Sequence, residues 1–159
     1  VEARERARHD DVANRLVPDV WETVIEDMEI TVEELESDGW RTVECHPGDS
    51  RTIDGTDRTG LSVLLPDNEY ETVESLVARA TFDTYEVLHA EHGGLQYVVV
   101  VMQDTDAREA LMFPAFFDRA NYIDVADPSL TVYLRRLGGD YVELQFDNTT
   151  LFLGSDEPN

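Results

Sequence analysis

The sequence predicts an α+β protein: a long N-terminal helical arm over residues 1–38, then a single body over residues 39–159. That body is expected to be a largely antiparallel sheet of roughly six to eight strands with one internal helix. Three observations predict it. Apolar residues recur every three or four positions before Gly39, they alternate or run together after it, and Gly-Gly pairs punctuate the second half.

The arm has two parts. Residues 1–16 carry Ala3, Ala7, Val12, Ala13 and Leu16 as apolar helical positions among Arg and Glu. Pro18 cannot continue that helix but can open the next one. From Asp19 to Asp38 the apolar set Val20, Trp21, Val24, Ile25, Met28, Val32 and Leu35 falls on one helical face, and Gly39 supplies the stop.

Beyond Gly39 the period shortens. Trp40 to His46 predicts a strand, Pro47 to Gly60 a polar loop, and Leu61 to Leu65 a second strand. Pro66 and Asp67 open a helix with Tyr70, Val73, Leu76, Val77 and Ala80 on one face. Thr84–His92 and Leu95–Gln103 flank Gly93-Gly94, a hairpin signal. The second of these strands is apolar on both faces and therefore central. Residues 104–109 read as a charged hairpin loop into a strand over Ala110–Phe117, and Asp118–Ser129 as irregular. Leu130–Leu137 and Tyr141–Phe146 surround Gly138-Gly139, and Thr150–Leu153 reads as a last strand.

Charge is the strongest compositional signal. The chain holds 35 acidic residues against 12 basic ones, all twelve of them Arg, for a net charge of −23. Ordinary usage would put roughly nine or ten Lys in this length. Such a charge self-repels in dilute buffer and is tolerated where salt screens it over about 3 Å, as at 1 M. Arg, weakly hydrated and able to form bidentate carboxylate pairs, is the cation that suits such a solvent. Six Phe, six Tyr and two Trp, with periodic apolar stripes, mark the chain as folded.

The same inventory excludes chemistries. Without Lys there is no Schiff-base lysine, P-loop or kinase signature. With Cys45 alone there is no intramolecular disulfide and no multi-cysteine metal site. A Gly-x-Ser-x-Gly elbow is missing, and no apolar run reaches the ~18–20 residues of a membrane span. No leader is visible, so the expected location is the cytoplasm. Arg135-Arg136 is the only adjacent basic pair, and strand geometry sends its two side chains to opposite faces. No nucleic-acid partner and no membrane partner are therefore expected.

Candidate sites are few. His46, His89 and His92 are the possible metal ligands, but strand geometry separates His89 from His92 and turns Cys45 away from His46. No metal site and no cofactor are expected. Carboxylate pairs such as Asp104 with Asp106 follow from composition alone. The loop Asp49–Gly60 places Arg51 and Ile53 where calcium ligands would stand. The one departure from the acidic pattern is residues 1–15, neutral overall, with Arg4, Arg6, Arg8 and Arg15 balancing four acids. Arg4, Arg8, Arg15, Leu16 and Trp21 are the candidate interaction residues, for a protein partner or a second copy.

Two stretches, Gly60-Leu61-Ser62-Val63-Leu64-Leu65-Pro66-Asp67 and Ala110-Leu111-Met112-Phe113-Pro114, together with the Lys-free acidic composition, give the chain its relatives. It resembles small acidic haloarchaeal proteins of unknown function. The resemblance implies a salt-rich habitat and an α+β body, and carries no catalytic residues. The expected function is a non-catalytic binding or interaction domain. The alternatives are a small-molecule-binding or hydrolase-like protein with a pocket between helix and sheet, and a self-assembling structural protein.

Overall fold

A computed structural model describes residues 15–154. The first helix, α1 (Pro18–Ser37), starts with Pro in its first turn, where a missing amide costs nothing. It ends as the amides of Gly39 and Trp40 close on the carbonyls of Glu36 and Leu35. Gly39 has φ +90°, which a side chain would oppose. Its buried residues Val24, Met28 and Val32 are spaced by four and form one stripe.

That stripe lies on a four-stranded sheet ordered β1-β6-β5-β4. Its strands are β1 (Arg41–Glu44), β4 (Thr84–His92), β5 (Leu95–Asp104) and β6 (Glu109–Asp118). Tyr97, Val99 and Val101 of β5 face α1, while Val98, Val100 and Met102 face the opposite way into a second core. The central strand is thus buried on both faces, as its apolar run predicts. Gly93 and Gly94, at φ +62° and +81°, make the β4–β5 turn with the twist such hairpins need.

A second sheet, ordered β2-β3-β7-β8, closes the other side of that core. It contains β2 (Asp49–Asp54), β3 (Thr59–Leu64), β7 (Leu130–Arg135) and β8 (Tyr141–Phe146). Leu61, Val63, Val132, Leu134, Leu144 and Phe146 point inward, joined by Tyr70, Val73 and Leu76 of α2 (Asp67–Arg79). No described helix is long and apolar enough to cross a membrane.

The architecture is α+β with the N-terminal helix in place, and four expectations need correction. The sheet is not single and largely antiparallel. There are two mixed sheets, with β1 parallel to β6 and β3 parallel to β7. Parallel pairs join segments distant in sequence, and no local pattern reports them.

The polar loop over residues 47–60 contains β2, whose one buried side chain is Ser50. Its hydroxyl donates to the Phe116 carbonyl at 2.8 Å and accepts from the Phe116 amide at 3.1 Å. A hydrogen-bonded serine fills the place where an apolar residue would have betrayed a strand. Ser50→Ala leaves both backbone groups of Phe116 without that partner and should cost about 1–3 kcal/mol. Urea unfolding checks this, and an unchanged midpoint would refute the role given to the hydroxyl.

The irregular stretch after Phe117 holds a third helix, α3 (Arg119–Val125). Asp118 caps it, its carboxylate accepting from the amides of Ala120 and Asn121. The last segment, Thr149–Leu153, is a 3₁₀ helix rather than a strand. It is anchored by fully buried Phe152 and by the Tyr122 hydroxyl, which donates to the Thr149 carbonyl at 2.7 Å. The predicted helix over residues 1–16 lies almost wholly outside the described residues.

Candidate functional site

His46 stands in the link between β1 and β2, two residues past the end of β1. Its backbone amide donates to Glu69 Oε1 at 2.7 Å, and its ring Nδ1 lies 2.8 Å from Glu69 Oε2. Glu69 sits in the first turn of α2, where the helix dipole favours a carboxylate. One glutamate therefore fixes both the backbone and the ring of His46, and leaves Nε2 pointing away from α2.

Nε2 faces Glu44 Oε2 at 3.6 Å, too long for a hydrogen bond. Glu44 and His46 are two positions apart on one extended segment and share a side, while Cys45 between them turns into the core. Glu29 reaches the same place from α1. Donor atoms of Glu29, Glu44 and His46 all lie within 4.8 Å of one another. Glu44 Oε2 is enclosed and has no hydrogen-bond partner among the described residues. Two carboxylates and an oriented imidazole thus converge from separate segments, with one oxygen unsatisfied.

His46 also lines a cleft of ≈ 360 Å³, together with Gly48, Leu64, Leu65, Pro66, Asp67 and Leu137. Cys45 takes no part. Burial pushes its thiol pKa up, and the charges of Glu69 and Glu44 push it further in the same direction. The group stays a neutral thiol and is neither a nucleophile nor a ready ligand.

The remaining sequence candidates are dispersed. His89 and His92 join no group of three potential ligands among the described residues. The His89 ring instead packs on Gly154, so closely that a side chain there would collide with it. Arg15 is engaged by its own body, donating to Asp118 at 2.6 Å and to the Gly93 carbonyl at 3.0 Å. Leu16 and Trp21 pack on the core beneath α1, Trp21 meeting Phe116 edge-on at 5.6 Å. The described end of the arm is thereby used inside the chain; Arg4 and Arg8 lie outside the described residues.

Sequence reasoning missed Glu29, Glu44 and Glu69. The spacing Glu44-Cys45-His46 was the available signal, since alternate residues of a strand share a face. It was hidden among 35 acids.

No curated protein matches the chain, and no solved structure does. Residues 6–154 match the model of a family of unknown function, DUF7529. The match takes in both described sheets, the three described α-helices and the His46 cluster, and the protein belongs to this family.

Proposed function

We propose that this protein is a non-catalytic binding domain of a salt-rich cytoplasm, and that its ligand is a divalent cation held by Glu29, Glu44 and His46. The observation that carries the reading is the convergence of those three donors within 4.8 Å. A cation would neutralise the two carboxylates and satisfy Glu44 Oε2. Glu69 supports the reading as the outer carboxylate that histidine ligands commonly use to fix their ring and raise their basicity. A donor set of one imidazole and two carboxylates suits Zn²⁺ or Mn²⁺ better than Ca²⁺, which takes six to eight oxygens.

Calorimetric titration of the full chain with Zn²⁺ and with Mn²⁺ in molar KCl tests this. One saturable site is expected, weakened about 10–100-fold in Glu29→Gln. Glu29 is exposed on α1, so this variant leaves the core intact. His46→Gln should weaken the site at least as much. Equal affinity in wild type and both variants, or no saturable binding, would sink the reading and leave His46 as an ordinary link between β1 and α2.

The cleft beside His46 favours one alternative, a small-molecule site or a hydrolase-like enzyme using the bound cation. Metal-dependent ester or phosphoester turnover that Glu29→Gln abolishes would establish it over the non-catalytic reading.

A further inference from the structure

Most described arginines have an evident partner. Arg15, Arg41, Arg79 and Arg136 pair with carboxylates, and Arg108 and Arg119 donate to the carbonyls of Asp38 and Leu153. The side chains of Arg51, Arg58 and Arg135 have neither a carboxylate nor a backbone carbonyl as partner among the described residues, in a chain with 35 acids. All three stand together on the outer face of the second sheet.

The strand register places them. Arg51 is opposite Ser62, Ser62 is opposite Tyr133, and Arg135 is opposite Tyr141. Arg135 Nε donates to Ser62 Oγ at 2.8 Å. Arg58 lies over the Tyr141 ring at 4.8 Å and the Tyr133 ring at 5.9 Å. Ser62 and Tyr133 are only 4% and 6% exposed, so the guanidinium groups form a layer above a closed floor. Arg51 Nε is enclosed and has no hydrogen-bond partner among the described residues.

Bringing like charges together costs free energy. Arg135 registers that cost: burial lowers its pKa first, and Arg51 and Arg58 lower it further against the opposing pull of Asp49. Among the described strand residues, Asp49 and Glu143 are the acids on this face, at its edge strands. An arrangement that is unfavourable alone becomes favourable when an anion occupies it.

We propose that Arg51, Arg58 and Arg135 form a binding site for the phosphoryl group of a small phosphorylated molecule. Guanidinium forks match phosphate oxygens, and donors arriving from three segments suit a tetrahedral dianion better than a planar carboxylate. The patch spans the width of about three strands, roughly 10 Å, which fits one phosphoryl group and is too short for a nucleic-acid backbone. This site is on the opposite sheet from β1 and is independent of the cation site.

The test titrates the full chain in molar KCl with inorganic phosphate and, separately, with adenosine monophosphate. Saturable binding of either supports the site, provided Arg51→Gln and Arg135→Gln weaken it at least about tenfold and Arg79→Gln leaves it unchanged. Binding of both assigns recognition to the phosphoryl group alone; binding of the nucleotide only adds the Tyr141 ring to the site. Without ligand, Arg51→Gln should melt no lower than wild type, because it removes repulsion rather than a contact. A lower melting point, or phosphate affinity equal in all variants, would overturn the proposal. Concentration-dependent dimers that Arg51→Gln abolishes, with no response to phosphate, would also overturn it and give the site to carboxylates of a second copy.

Discussion

Gly60→Ala should lower stability by more than about 3 kcal/mol, seen as a fall in melting temperature on the order of 10 °C or as failure to fold. Gly60 opens the inner run of β3, opposite Ile53 of β2. A Cβ built there would stand 2.0 Å from the backbone oxygen of Thr131. That oxygen belongs to β7, which is paired with β3 from Leu61 onward. A backbone atom cannot swing aside as the end of a side chain can, so the β3–β7 pair must separate. Gly48→Ala is the matched control, since nothing lies within 4 Å of its Cβ direction. Equal melting temperatures for the two variants would refute the argument. The pair lost is one of the two parallel pairs that local sequence could not report, so the glycine is the visible trace of an otherwise silent pairing.

The second large effect is on the solvent. At molar KCl the protein should unfold cooperatively with high stability, and on dialysis to low salt it should lose tertiary structure. The net charge is −23, and acids outnumber basic residues 35 to 12. Their repulsion acts over about 10 Å at 0.1 M salt and about 3 Å at 1 M. Denaturant titrations across KCl concentrations, followed by near-ultraviolet circular dichroism, measure this. The same stability at low and molar salt would remove the physical basis for reading the composition as an adaptation to salt. Sucrose or another neutral solute at matched osmotic strength separates charge screening from general exclusion effects, because only the salt screens.

Elements whose signal is local were legible. The α1 stripe, Gly39, the Pro66 helix start and both Gly-Gly hairpins all rest on residues within a few positions of one another. Elements whose logic is distant were not. β2 looks like a loop because Ser50 meets its partner Phe116 through hydrogen bonds across 66 positions. The short helix α3 hides because its cap, Asp118, follows a strand without a break and its turns are few. The candidate cation site shows the same division. Glu44 and His46 share a face by simple alternation and could be paired from sequence, whereas Glu29 arrives only when α1 packs on the first sheet. The arginine layer is more distant still: its members come from β2, β7 and the β2–β3 turn, and only the register between strands brings them to one place.

Asp118 uses its two oxygens on different parts of the molecule. One caps α3, and the other receives the Arg15 guanidinium from 103 positions away. Burial opposes ionisation of this carboxyl, yet the hydrogen bonds from Arg15 and from the amides of Asn121 and Ala120 hold its pKa below the usual range. Its contribution is therefore complete above the ordinary aspartate range and is lost as pH falls through the depressed value. Protonation would loosen the arm and the helix cap in one event. The entry of the chain into α1 and the start of α3 thus make a single acid-sensitive joint, and through it the terminus of the described chain senses the state of its middle.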